Sequence, residues 1–380
     1  MNSSTPNVSA LVDQFLDEAI AFGASDIHFE PTSSGLHVKY RLDGALKTIE
    51  KLPKAVSENV IARLKVLGGL LTYRNDIPQE GRIEGAGKAA ESDAGKVTDK
   101  RLSVFPTIHG QRAVVRIFYE NEGLMELDKL GFNEYTRSVL ETFAHKNQGI
   151  LLLTGPAGSG KSTTLAALLT HILHAYPGKS IVALEDPVER GIEGVTQVQI
   201  DSHGQMTFPV ALRSLLRQDP QVLMIGEIRD AETAKIAIEA GLTGHLLMST
   251  MHSGSCSGAL LRMLEMGIEP YQVTSGVTAI LNQRLVRRLC EHCRRKTPEG
   301  TFESVGCAKC HQTGFHGRTL LAEIVELDGL LRKAILERAD KEQLETILTS
   351  RGHMSLRQDG RRLISQGITT EDEICRVCGE

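Results

Sequence analysis

The sequence has no tryptophan, and aromatic residues make up only 4 % of its 380 positions. Stacking platforms for single-stranded nucleic acid are therefore scarce. It also lacks an excess of one charge: 43 lysines and arginines stand against 47 aspartates and glutamates, for a net charge of −4. That balance gives no broad basic field, so direct nucleic-acid binding is not expected. No apolar run approaches the ~18 residues needed to cross a bilayer. Residues 1–15 have no basic start followed by an apolar stretch, so no signal peptide is expected and the chain is placed in the cytoplasm. What is present includes seven cysteines, six of them in three C-x-x-C pairs, with Cys256 alone. In a cytoplasmic chain that spacing points to metal before disulfide.

Periodicity divides the chain. Residues 9–22 place apolar side chains on one helical face, with Ser9 as the expected cap and Gly23 as the stop. The period then drops to two over Ser25–Pro31 and Leu36–Leu42, with turn residues between and Asp43-Gly44 afterwards. A helix over Ser57–Leu67 and strands at Gly81–Ile83 and Lys100–Tyr119 follow, while residues 84–99 read as an exposed loop or hairpin tip. Residues 1–120 thus form an α/β module with an antiparallel sheet, and 121–130 a linker. From 131 onward helices alternate with continuous apolar strands, the signature of a mostly parallel sheet covered on both faces. Residues 289–318 break that pattern with cysteines and basic residues, and 319–380 are expected to be helical.

The second region is organised around Gly149–Thr163. The apolar strand Ile150–Leu153 runs into Gly155, Pro156, Ala157, Gly158, Ser159, Gly160, Lys161, Ser162 and Thr163, a phosphate-binding loop in strand-loop-helix context. Glycines let backbone N–H groups close on phosphate oxygens, Lys161 reaches the β and γ phosphates, and the Ser162 hydroxyl is placed for Mg²⁺. A second apolar strand delivers Glu185, Asp186 and Glu189, of which Glu185, at the strand end, is preferred over Glu189 for orienting a water. A third leads to Gly226 and Glu227; with glycine where an aspartate is usual, Glu227 is expected to act through the metal's water shell or as a second water-orienting group. In the run from Gly241 to Ser253, Thr250 and His252 would lie at a γ-phosphate if their strand neighbours the phosphate-loop strand, and His252 is the stronger candidate.

Taken in order, the runs ASDIHFEP, GPAGSGKST, LEDPVE, LRSLLRQDPQVLMIGEIRDAETA and GLTGHLLMSTMHS resemble the secretion-superfamily ATPases, specifically the assembly ATPases of type II secretion and type IV pilus systems. The resemblance covers roughly residues 10–380. It implies an α/β protein with a RecA-like core, an N-terminal PAS-like module and a small zinc subdomain. It further implies ATP and Mg²⁺ as cofactors and a homohexamer at the inner membrane, docked on a membrane platform protein. Matching RLSVFPTIHGQRAVVRI to the family assigns Arg101 and Arg116 as arginine fingers, a role that suits a planar cation facing a γ-phosphoryl group. Longer relatives carry a further N-terminal domain, and here only a short lead precedes the first helix, so docking is expected through another surface or in a reduced machine. Retraction ATPases, DNA-uptake motors, nucleic-acid translocases and a non-hydrolysing nucleotide-sensing scaffold stand as alternatives.

Cys290-x-x-Cys293 and Cys307-x-x-Cys310, thirteen residues apart, have the spacing of a closed tetrahedral Zn²⁺ site. Arg287, Arg288, Arg294, Arg295, Lys296 and Lys309 are expected to ease the assembly of four thiolates. By the resemblance, this insert goes with assembly rather than retraction. Cys375 and Cys378 near the C-terminus read as small side chains of a terminal helix, and Cys256 as structural.

Overall fold

The computed structural model describes residues 7–84, 91–92, 95–120, 122–201, 204–298 and 300–379. Two units result, Met1–Glu122 with Gly306–Gly317, and Gly123–Val305 with Arg318–Glu380.

In the first unit, helix α1 (Val8–Ala21) is capped by Asn7, whose side chain accepts from Ala10 N, and not by Ser9. Asn7 lies one position before the first helical residue, where a short acceptor reaches an unpaired amide. Strands β1 (Asp26–Pro31) and β2 (Gly35–Leu42) pair antiparallel, and β2 buries alternate residues. Asp43 and Gly44, at φ 48° and 86°, turn the chain directly into β3 (Ala45–Pro53), with Leu42 opposite Ala45. Sequence reading misses β3 because it is an edge strand with no buried residue, and such edges carry lysines, here Lys47 and Lys51, in place of an apolar face. Helix α2 (Lys54–Leu67) and strands β4 (Gln79–Arg82), β5 (Glu91–Ser92), β6 (Gly95–Thr107) and β7 (Gly110–Glu120) complete the unit. The sheet order is β3-β2-β1-β7-β6-β4, with β5 on β6. Residues 95–99, expected in a loop, belong to β6, while 85–90 and 93–94 of that expected loop lie outside the described residues.

Residues 306–317 join this unit, although the sequence places 289–318 together in the second domain. The cause is local packing. The His311 ring stacks on Phe22 with centroids 3.6 Å apart, Lys47 Nζ donates to His311 O, and Gly317 N donates to Asp43 Oδ2 at 2.9 Å.

The second unit opens with two short 3-10 turns and α3 (Glu134–Ala144). Then come β8 (Gly149–Thr154), α4 (Lys161–Ala175), β9 (Ile181–Glu185), β10 (Thr196–Gln199), α5 (Phe208–Leu215), β11 (Val222–Ile225), α6 (Ala231–Leu242) and β12 (Leu246–Met251). Helices α7 (Cys256–Glu265) and α8 (Pro270–Gly276) lead to β13 (Val277–Leu289), the short hairpin β14 (Arg295–Lys296) and β15 (Phe302–Glu303), and β16 (Phe315–Glu326). Helices α9 (Gly329–Leu336), α10 (Lys341–Ser350), α11 (Leu356–Ser365) and α12 (Glu371–Cys378) close the chain. The region from 319, expected to be helical, therefore begins as the greater part of β16. The sheet order is β10-β9-β11-β12-β8-β13-β16, and each adjacent pair from β10 through β13 is parallel. β8, β11 and β12 are buried along their whole length. Leu152, Ile225 and Leu247 pack into one apolar layer and Leu151, Met224 and Met248 into the other, which leaves only strand ends for polar chemistry.

Candidate functional site

The loop after β8 needs its glycines. Gly155, Gly158 and Gly160 have φ of 144°, 72° and 89°, in the region that L side chains rarely adopt. A Cβ on Gly155 would also stand 2.5 Å from Gln283 O. The loop ends on the N-terminus of α4, whose unpaired amides and dipole favour an anion. Lys161 is 8 % exposed, and its Nζ donates to the carbonyls of Gly155 and Pro156 at 2.9 Å each. Burial lowers its pKa, Glu227 opposes that shift, and Arg284 adds to it. Ser159 Oγ is buried without a hydrogen-bond partner. Left-handed glycines, a buried ammonium held only by carbonyls and an orphaned hydroxyl fit a polyphosphate. Ser162 is exposed at the second position of α4, open to a metal bound with it.

β12 does lie beside β8, with Thr250 opposite Leu153 and Met251 opposite Thr154. The condition set for Thr250 and His252 is thereby met, but the two residues part company. Thr250 Oγ1 donates to Gly226 O at 2.7 Å and so ties β12 to the end of β11. His252 is 59 % exposed beyond the strand end, with Nε2 3.6 Å from Glu227 Oε2. Glu227 is 17 % exposed and also pairs with Arg229. Lys161, Glu227 and His252 thus converge at the phosphate loop.

Gly226 has a steric reason. Its amide donates to Leu184 O at 2.7 Å, and an added Cβ would stand 3.2 Å from that carbonyl oxygen and 3.5 Å from Glu185 Cα. A side chain there would crowd the end of β9. Glu185 ends β9 with Oε1 accepting from Gln197 Nε2 at 2.8 Å, and Gln197 also donates to Arg190 O. Burial pushes its carboxyl above the usual range and Glu189 adds to the rise, while the Gln197 hydrogen bond opposes it.

Arg101 and Arg116 belong to the first unit and are engaged there. Arg101 Nε donates to Asp99 Oδ2 at 3.1 Å, and its guanidinium lies 4.7 Å from the Phe118 ring centroid. Arg116 Nε donates to Asp26 Oδ1 at 2.9 Å. Both remain more than half exposed, at 56 % and 65 %.

The ligand sulfurs of Cys290, Cys293, Cys307 and Cys310 all lie within 4.8 Å of one another, and Cys307 Sγ is 3.8 Å from Cys310 Sγ. Tetrahedral Zn–S bonds of about 2.3 Å set sulfurs about 3.8 Å apart, so the donor set fits Zn²⁺. Of the flanking cations, Arg287 pairs with Glu373, Arg288 with Glu291 and Arg295 with Glu303, and the amides of Cys307 and Gly314 point at Cys310 Sγ at 3.2 and 3.3 Å. Cys375 and Cys378 lie in α12, and Cys256 is fully buried, with Sγ 3.5 Å from Ile280 O.

Sequence reasoning misses Gln283 and Arg284 on β13, which press on the phosphate loop. The signal was the polar run Asn282-Gln283-Arg284 directly after the apolar Ala279-Ile280-Leu281.

Residues 2–376 match the family described as Type II/IV secretion system protein. The chain is 40 % identical over 370 residues to the type II secretion system protein HxcR of Pseudomonas aeruginosa, covering 97 % of this chain and 77 % of that one. It is 39 % identical over 381 residues to the type IV pilus assembly ATPase PilB of Thermus thermophilus, covering 96 % of this chain and 42 % of that longer protein. The crystal structure of the pilus retraction motor PilT with bound ADP superposes at a TM-score of 0.60 with 25 % identity, over 96 % of each chain.

Proposed function

The chain belongs to the Type II/IV secretion system protein family, and from that premise we propose that it is an ATP-hydrolysing motor powering type II pseudopilus or type IV pilus assembly. The observation that carries this reading is the convergence of Lys161, Glu227 and His252 on a glycine-built phosphate loop at the end of β8. MgATP is the substrate, and the products are ADP and phosphate. Lys161 and the loop amides of Gly155 and of Ala157 to Thr163 hold the phosphates, and Ser162 would hold Mg²⁺, which would neutralise charge developing on the phosphate. Glu185 orients the attacking water, a role that the burial-raised basicity of its carboxylate supports. Glu227 organises the metal side, and His252 senses the γ-phosphate. Arg101 and Arg116 of the first, PAS-like unit act as fingers.

The working form is a homohexamer on the cytoplasmic face of the inner membrane, docked on a membrane platform protein. Among the described residues no helix is long and apolar enough to cross a membrane, in keeping with attachment through partners. The cysteine cluster holds structural Zn²⁺ and weighs for assembly over retraction. Steady-state phosphate release tests the reading. The wild-type chain is expected to turn over ATP and the Lys161→Ala chain to be inactive, without stimulation by DNA. Equal release by the two chains sinks the assignment.

A further inference from the structure

Near the middle of β13 the apolar run gives way to Asn282, Gln283 and Arg284, and all three are tied to loops at the phosphate site. Gln283 is fully buried and its Nε2 donates to Ser159 O at 2.8 Å. Arg284 Nη2 donates at 3.0 Å to the carbonyl of Gly254, in the loop that leaves β12 through His252. Its Nη1 donates to Asn282 Oδ1 at 3.0 Å and Gln283 O at 3.2 Å, and would stand 3.2 Å from a Cβ on Gly155. Thr154 Oγ1 donates to Ser253 O at 2.9 Å, so two successive carbonyls of the His252 loop are held, one from β8 and one by Arg284. Asn282 Nδ2 donates to Gly254 O at 3.2 Å and to Glu323 Oε2 at 3.1 Å, and Glu323 Oε1 faces His353 Nε2 at 3.3 Å.

A guanidinium offers several donors in one rigid plane, so Arg284 can keep the Gly254 carbonyl at a set spacing from β13. A lysine ammonium, a flexible point charge, cannot do so.

We propose that Arg284 is a positioning residue of this ATP site, holding the His252 loop at Gly254 O against β13, whose Gln283 holds the phosphate loop at Ser159 O, with Asn282 and Glu323 aligning Arg284 in turn. The proposal rests on reading that site as ATP-hydrolysing. Arg284 holds backbone carbonyls, while Lys161 and the loop amides supply the grip on phosphate. Its loss therefore leaves ground-state binding in place and removes the fixed spacing between His252 and the reacting group. Misplacement of that kind lowers kcat with little change in nucleotide affinity.

The test compares full-length wild-type, Arg284→Ala, Arg284→Lys and Asn282→Ala chains by steady-state phosphate release and equilibrium ADP binding. Arg284→Ala is expected to lower kcat about 20-fold, with the ADP Kd within about 3-fold of wild type. Arg284→Lys keeps the charge without the fork and is expected to recover no more than about a fifth of wild-type kcat. Asn282→Ala leaves the guanidinium unaligned and is expected to lower kcat about 5-fold. Wild-type kcat in Arg284→Ala, full rescue by Arg284→Lys, or a loss confined to ADP binding overturns the proposal. Should the melting temperature show Arg284→Ala to be misfolded, Asn282→Ala decides, and wild-type kcat there overturns it. A wild-type chain that releases no phosphate overturns the ATPase reading and this proposal together; an active wild type beside an equally active Arg284→Ala overturns this proposal alone.

Discussion

The two large sheets of this protein dispose of charge in opposite ways. In the antiparallel sheet of the first unit, charge lies on a strand face and is matched sideways. Asp26 and Glu30 on β1 are met by Arg116 and Arg112 from β7, at 2.9 and 3.2 Å, and by Arg41 and Lys39 from β2. Between them His28 has Arg112 Nη2 3.1 Å from Nδ1 and Arg41 Nη2 3.4 Å from Nε2, and burial together with those cations lowers its pKa. The core of the parallel sheet in the second unit, β8, β9, β11 and β12, has no polar face to spare, because helices cover both sides. Its charged groups emerge at strand ends, where Lys161, Glu227 and His252 meet although they come from separate segments. Lateral pairing satisfies charges one against another; convergence at strand ends leaves them facing a common space that a ligand can fill.

The largest test of that contrast is Lys161→Ala. Removing a cation that faces the space, not a partner, is expected to lower phosphate release about 1,000-fold or more. The melting temperature should move by only a few degrees, since among the described residues Lys161 Nζ bonds to two carbonyls of its own loop. Unfolding of the variant would show that Lys161 is a structural residue like those of the first sheet. Next come Glu185→Gln and Glu227→Gln, each expected to lower kcat about 100-fold. They differ in what else changes: Glu227→Gln should raise the Mg²⁺ requirement, whereas Glu185→Gln should leave it. Because burial raises the Glu185 pKa, wild-type activity should fall on the acid side at a pH above the ordinary carboxylate range, and that limb should vanish in Glu185→Gln. An unchanged acid limb would move the water-orienting role to another carboxylate.

Glu373 sharpens the comparison from the other side, as a charge in the second unit that is paired laterally. Its carboxylate is fully buried and accepts from Arg287 Nη2 at 2.7 Å and Arg376 Nη2 at 2.6 Å, which fixes α12 to β13. Burial disfavours its ionisation, but the hydrogen bonds from Arg376 and Arg287 prevail and hold its pKa at about 2, against 4.5 when unfolded. Glu373→Gln is expected to cost about 2 kcal/mol at neutral pH. With the folded pKa depressed, the contribution is complete above pH 4.5 and is lost as pH falls through about 2. The gap between wild-type and variant melting temperatures should close across that window while ATP affinity at neutral pH stays the same. A constant gap would remove the ion pairs as its cause.

How far the sequence could be read follows from the same contrast. The strands β8, β9, β11 and β12 were legible as apolar runs, and the phosphate loop as a spacing of glycines and a lysine, because burial on both faces writes itself into consecutive residues. The four clustered cysteines were legible as two knuckles. Strand β3 was not, since an edge with alternating half-exposed residues carries little apolar signal. The partners of residues 306–317 were not either, because a His311 ring stacked on Phe22 depends on side chains far apart in the chain. Arg284 was missed for a related reason: it donates to the carbonyls of Gln283 and Gly254 as well as to Asn282, and backbone acceptors leave no mark in residue type.

The smallest expected effect bears on whether the first sheet is only laterally paired. Arg116 is 65 % exposed, and Asp26 keeps Arg41 Nε at 3.3 Å if Arg116 is lost, so Arg116→Ala should barely change the melting temperature. If Arg116 is a finger, it must exchange Asp26 for phosphate during turnover, and Arg116→Ala should lower kcat about 10-fold with ADP affinity unchanged. Arg101 adds a control from β6, where the Asp99 contact and the Phe118 ring hold it in the same manner. Arg116→Lys separates the two roles. A lysine can neutralise Asp26 but lacks the fork for a phosphoryl group, so a finger predicts low kcat in both variants, whereas a structural pair predicts full activity in the lysine form. Full activity in both would confine the first sheet to lateral pairing and leave the strand ends of the second unit to carry the chemistry alone.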